Sequence, residues 1–237
     1  MVNIDAVYQR VLALANKEQR GYITPQEFNL FANQAQMEIL DQYFYDLNQT
    51  VTNVEPNSTQ YSDMTTFIDE KLSVFKKTGT SSIGVGGGVI PPSNDLYRWG
   101  GIYKDGVMYE EVDYSEYIEM NQSPLTKPTY KRPVYYFERI SFSIHANNNR
   151  PVLKPTPIGN VMVSYIKKPS RAKWGYVVVN DKAIYNASTS TNFELHSSEE
   201  TELVYKILKL GGISLNKLDL SQAALNLENS KVQQEKE

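Results

Sequence analysis

Apolar residues recur at helical spacing at both ends of this chain and at strand spacing through its middle. Over 3–19, Ile4, Val7, Tyr8, Val11, Leu12 and Ala15 share one face and predict an amphipathic helix, with Gly21 placed as its C-terminal cap. GYITPQEFNLF then opens a second helix. Thr24 is the expected N-cap, Pro25 fits the first helical position, Glu27 completes a capping box and Ile23 staples against Phe28. This helix is predicted to run to about Leu47, with Phe28, Phe31, Ala32, Ala35, Ile39, Tyr43 and Phe44 along one stripe. The short connection predicts that the two helices form an antiparallel hairpin. A third helix is expected over Ser62–Lys77, with Met64, Phe67, Ile68, Leu72 and Phe75 facing inward.

The pattern then changes. From Gly79 to Asn192 the chain is rich in Gly, Pro, Thr, Val and Tyr. DLYRWGGIYKDGVMYEEV predicts a hairpin turning at Asp105-Gly106. YSEYIEMN predicts one or two helical turns, PVYYFERISFSIH a further hairpin, and NVMVSYIKKP and WGYVVVN two more strands. Helical spacing returns in HSSEETELVYKILKLGG, where Ser197 and Glu200 are placed as a capping box and Leu203, Val204, Ile207, Leu208 and Leu210 form the apolar face. A last, thinner helix is expected in DLSQAALNLENSKVQQEKE, polar enough at its end to fray. The predicted architecture is α+β. Helices from 1–78 and 194–237 form one bundle, and 79–193 is an inserted antiparallel β-rich lobe.

Charge and composition narrow the chemistry. The formal charge is −3, which is not the basic excess of a dedicated nucleic-acid binder. There is no cysteine, so disulfides, thiolate nucleophiles and cysteine metal sites are excluded. The two histidines, His145 and His196, are too few for a histidine-rich metal site and read as solvated or hydrogen-bonded. MVNIDAVYQR lacks the layout of a secretory signal, and no apolar run reaches the roughly 18 residues of a membrane span, so no membrane partner is expected.

The stretch SSIGVGGGVIPPSNDLY (81–97) raises the question of a phosphate loop. Gly79 and Gly84 have the spacing of a nucleotide-hydrolase loop, yet Val85 and Gly86 stand where its Lys and Ser or Thr belong. Gly84 and Gly86 begin a dinucleotide fingerprint that Val89 breaks, and IPPSNDLY offers a strand where a helix is needed. The stretch therefore predicts a supple hinge between the third helix and the β lobe. No G-x-S-x-G is present. Glu110, Glu111 and Asp113 lack calcium-loop spacing, and Glu199, Glu200 and Glu202 compensate a helix dipole. No catalytic residue, cofactor or metal is expected.

Seventeen tyrosines suit either protein interfaces or strands. Phe31, Tyr43, Tyr45, Tyr165 and Trp174 are the interface candidates, Tyr43 and Tyr45 because they point to different sides of the second helix. Lys167, Lys168, Arg171 and Lys173, flanked by Tyr165 and Trp174, form one basic run. Lys127, Lys131 and Arg132 form another. Such runs either grip a nucleic-acid backbone or form the solvated rim of an interface.

VYQRVLALANKEQRGYITPQEFNLFANQAQMEILDQYFYDLN (Val7–Asn48) resembles the opening of virion structural proteins of short-tailed bacteriophages, including crAss-like phages. NFELHSSEETELVYKILKLGGISL (Asn192–Leu215) resembles their C-terminal helix. The two stretches cover under a third of the chain, and the order helices, β insertion, helices is similar to that of head-to-tail adaptor, or tail-tubular, proteins. The resemblance implies a non-enzymatic ring, usually of twelve copies, below the portal protein at one capsid vertex. Its helical bundles would surround a channel for the double-stranded genome, and its β lobe would face the periphery or the next tail ring. It implies a chain made in the host cytoplasm and destined for the virion. A distal tail ring or a fibre or capsid-attachment adaptor is the alternative of the same kind. A hydrolase or nucleotide-binding enzyme is the alternative of another kind, and it needs a site that the motifs above do not supply.

Overall fold

The computed structural model describes residues 1–15, 23–53, 59–139, 149–214 and 222–230. In chain order the elements are α1 (Ile4–Ala15), α2 (Pro25–Asn53), α3 (Thr59–Ser73), β1 (Lys76–Ser81), β2 (Leu96–Lys104), β3 (Val107–Met108) and β4 (Glu110–Glu111). There follow α4 (Tyr114–Gln122), β5 (Val134–Arg139), β6 (Asn149–Lys154), β7 (Val161–Lys167), β8 (Tyr176–Val179), β9 (Lys182–Tyr185) and α5 (Glu200–Ser214). A last helix, α6, covers 222–230. The fold is α+β. It divides into two compact units: Met1–Val74 with Pro169–Glu237, and Phe75–Lys168. Residues 169–193, expected in the β-rich insertion, thus group with the terminal helices.

In the helical unit the predicted capping box of α2 forms. The Thr24 amide and hydroxyl donate to Glu27 Oε2 at 2.9 and 2.8 Å, and the Glu27 amide donates to Thr24 Oγ1 at 3.3 Å. These bonds hold the Glu27 carboxyl below its ordinary pKa. Ile23 and Phe28 are both buried, as a staple requires. α1 and α2 do not pack as a hairpin. Both lean on α5, whose buried Leu203, Val204, Ile207 and Leu208 give each a partner, while α3 packs on α2. α1 and α2 meet where the Tyr8 and Phe28 rings stand edge to face at 4.8 Å. Their connection, with Gly21, lies outside the described residues.

Two expectations for this unit are corrected. α3 ends at Ser73, because Lys76 and Lys77 pair with β7, and Phe67 is exposed where Ile68 and Leu72 are buried. The Ser197–Glu200 capping box does not form. His196 caps instead, accepting from the Ser198 amide, and Glu200 pairs with Arg10 at 2.9 Å. The expected last helix forms as α6, where Ala224 is buried and Glu228 accepts from Lys206 Nζ at 2.6 Å and Lys209 Nζ at 3.1 Å. The polar end expected to fray, 231–237, lies outside the described residues.

The second unit is built on strand register. β1-β7-β2-β3 form one antiparallel sheet. β4-β5-β6 form another, in which β4 runs parallel to β5 and β6 antiparallel to it. Of the hairpin expected within PVYYFERISFSIH, the first strand is β5, which pairs with β6 beyond that stretch at Asn149–Lys154; residues 140–145, expected to hold the second strand, lie outside the described residues. Alternation along β5 explains the layers. Tyr135 and Phe137 face Ile102, Val161 and Val163 of the first sheet. Val134 and Tyr136 face the other way, against Tyr117 and Met120 of α4. Asp113 caps α4. At the predicted β2–β3 turn, Asp105 and Gly106 hold φ of 50° and 81°, the paired positive values of a type I′ turn.

Candidate functional site

The glycine stretch is a packed loop rather than a supple hinge. Ile83 bridges Val89, and Gly88 bridges Val152 of β6. The Gly84 amide donates to Gly88 O at 2.8 Å, Val89 N to Pro151 O at 2.9 Å and Ile90 N to Ser82 O at 3.0 Å. These amides serve the loop and its neighbour strand. Gly87 holds φ +89°, and a Cβ there would lie 2.8 Å from Thr156 Oγ1 and 2.9 Å from Leu153 O. Close approach to β6, with a left-handed backbone, accounts for glycine here.

The interface candidates scatter. Trp174 and Tyr43 are only 2% and 4% exposed, so both belong to the core of the helical unit. Trp174 lies 4.1 Å from the Tyr8 ring, stacks on Tyr176, and donates from Nε1 to Asp5 Oδ1 at 2.9 Å. Phe31 is half-buried at the edge of the α2 stripe. Tyr45 is 59% exposed. Tyr165 is half-buried on β7, between Lys77 and Trp99 in register.

The basic candidates scatter as well. Lys127, Lys131 and Arg132 are exposed on the α4–β5 connection. Lys167 ends β7 and Lys168 follows it, whereas Arg171 and Lys173 lie in the other unit. There they alternate with buried Ala172 and Trp174, so the tryptophan points inward and is not interleaved with the charges.

Dividing the charge by unit changes the electrostatic picture. Phe75–Lys168 carries 12 Lys and Arg against 8 Asp and Glu, a net of +4. The other unit carries 12 against 19, a net of −7. The overall −3 hides this opposition. Register places part of the positive charge on the face of the β1-β7-β2-β3 sheet turned away from its core. Lys76, Ile166 and Arg98 form one row across β1, β7 and β2. Thr80, Met162, Tyr103 and Met108 form another further along. Met162 and Met108 are 57% and 58% exposed. This face is half basic and half apolar.

Two features escaped the sequence reading. Asn29, Asn33 and Gln36 recur at helical spacing on α2 and act as surrogate strand partners for the extended segment beside them. Asn29 exchanges bonds with Trp174 N and O at 2.7 and 3.2 Å, Asn33 Nδ2 donates to Ala172 O at 2.8 Å, and Gln36 Nε2 donates to Ser170 O at 2.9 Å. Polar residues at those positions look solvent-facing in a binary pattern, and amide spacing was the available signal. Lys71 and Glu199 form a buried ion pair at 2.8 Å. Nothing local in the sequence pairs them.

Among the described residues no cluster of His, Cys, Asp or Glu is arranged to hold a metal ion. None of their helices is long and apolar enough to cross a membrane. His145 lies outside them. No protein-family model matches the chain, and no curated protein is significantly similar to it.

Proposed function

We propose that this chain is a non-enzymatic virion structural protein that forms a head-to-tail connector, or adaptor, ring of a short-tailed bacteriophage. The ring would sit below the portal protein, usually in twelve copies, and pass the double-stranded genome to the next tail ring. The observation that supports this most is the chain's division. Both ends share one helical unit and the middle forms a separate β unit, the layout that the resemblance implies. Opposite net charges on the two units add support, because ring contacts are heterologous and need two different, complementary surfaces on one chain. The test is a cryo-EM reconstruction of the particle that encodes the chain. The expected result is a ring of this protein at the portal vertex. Density at the distal tail, at fibre bases or on the capsid would replace the reading with another virion role, and absence from particles would end it.

A further inference from the structure

We propose that the outer face of the β1-β7-β2-β3 sheet docks on the acidic helical unit of a second copy of this chain. The basic side is defined by register. Lys76 and Arg98 flank Ile166 across three adjacent strands, and Lys168 follows the last residue of β7. Lys76, Arg98 and Lys168 are exposed.

The helical unit carries exposed acidic residues on two surfaces, one on α2 and one on α3, which packs on the Tyr43 side of α2. Leu30, Gln34, Glu38, Asp41 and Tyr45 fall on one stripe of α2, exposed except for half-buried Glu38. Asp69 and Glu70 are exposed on α3 beside exposed Phe67.

Charge decides which units meet. A contact between like units of two copies would set +4 against +4 or −7 against −7, and like charges repel. A heterologous contact sets plus against minus, and such contacts close into rings or continue as filaments. Chemistry decides the kind of partner. Ile166, Met162 and Met108 on the sheet face are apolar, as are Leu30 and Phe67 on the helical side. Exposed apolar rows rimmed by charge fit a protein surface. A phosphodiester backbone would engage only the charges. The inference rests on the connector reading for ring closure; the charge opposition stands without it.

The test uses the full chain and its mass in solution at low and molar salt. Association is expected at low salt and is expected to weaken as salt screens it. K76E/R98E/K168E and, separately, D41K/D69K/E70K should each weaken association by roughly tenfold or more. Mixing the two variants restores opposite charges at every contact and should restore association. Circular dichroism reports whether each variant keeps its fold. Should either triple variant unfold, R98E and D41K alone carry the same test. A chain monomeric at every salt concentration would overturn the inference, as would association insensitive to reversal, or no rescue on mixing. Binding of duplex DNA that K76E/R98E/K168E abolishes, with association unchanged, would assign the face to nucleic acid instead. A portal-vertex ring whose assembly ignores these reversals sinks this inference and leaves the connector reading intact. Charge-dependent association of a chain found elsewhere does the reverse.

Discussion

The two units hold distant residues together by different means. In Phe75–Lys168, long-range ties run mainly through strand register, and alternation sends successive side chains to opposite layers. Register is strongly specified there, because a one-residue slip would turn Val134 and Tyr136 toward the layer that Tyr135 and Phe137 occupy. In the helical unit, individual polar groups do the corresponding work. The Asn29, Asn33 and Gln36 amides hold the segment 170–174 on α2, the Asn192 side chain accepts from the Ile4 amide, and Lys71 meets Glu199. Register distributes stability over many equivalent bonds. Single polar ties concentrate it, so point changes should be felt more sharply in the helical unit.

The largest expected effect follows. Trp174→Ala removes a buried indole that contacts Tyr8 and Tyr176 and donates to Asp5, and should cost about 3–5 kcal/mol. Hydrogen exchange should show α1, α2 and α5 losing protection while β1, β2 and β7 keep theirs. Equal loss in both units would mean that they fold as one, and the comparison would break. Next is Lys71→Met. It leaves Glu199 buried without its cation and should cost about 3–5 kcal/mol, with much of the loss recovered in K71M/E199L. A single-variant cost below about 1 kcal/mol in urea unfolding would class the pair with surface ion pairs.

This contrast also explains what was legible in the sequence. The α2 start was readable because its cap, proline, box and staple are local, within Ile23–Phe28. The Asp105-Gly106 turn was readable because two consecutive positive φ values demand those residue types. The Lys71–Glu199 pair was not, since its members sit in different segments and each looks like an ordinary surface charge. Trp174 was misplaced for a similar reason. Its basic neighbours suggested a surface, whereas strand-like alternation turned the ring inward. Phe31 sits at the edge of its stripe and Phe28 is fully buried, so a charge at Phe28 should break the bundle more severely. Of the candidate surface, the sequence supplied Tyr45 and Lys168. Only register brought Lys76 and Arg98 into one row.

A smaller effect tests the β unit. Gly87→Ala would place a Cβ against Leu153 O and Thr156 Oγ1 at a backbone of φ +89°, and should cost ~2–3 kcal/mol. The loss should fall on β6 and its neighbours in hydrogen exchange and leave α5 unaffected. A neutral substitution would restore the hinge reading of the glycine stretch.

The smallest expected effect is that of Glu228→Gln, which probes how far the C-terminal helix belongs to the helical unit. Burial works against charge on Lys206, but the hydrogen bond and attraction from Glu228 outweigh it and raise the lysine pKa. Burial likewise opposes charge on Glu228, and the bonds from Lys206 and Lys209 overcome it and lower the carboxyl pKa. A carboxyl lowered in the folded state stabilises that state above its unfolded pKa, about 4.3. That contribution disappears as pH falls through the depressed folded value. For Lys206 the sense is opposite: its contribution is complete below the ordinary lysine value, about 10.4, and is lost as pH rises through the raised folded value. Glu228→Gln should therefore cost about 1–2 kcal/mol near neutral pH and progressively less toward strong acid. Deleting 218–237 should cost more, because it also uncovers the surface that Ala224 buries. Urea unfolding from neutral to acid pH reads both effects. A cost for E228Q that stays constant down to strong acid would mean that Glu228 contributes by shape rather than charge. The helix over 222–230 would then be held by packing, like the β unit, and not by the polar ties that distinguish the rest of its own.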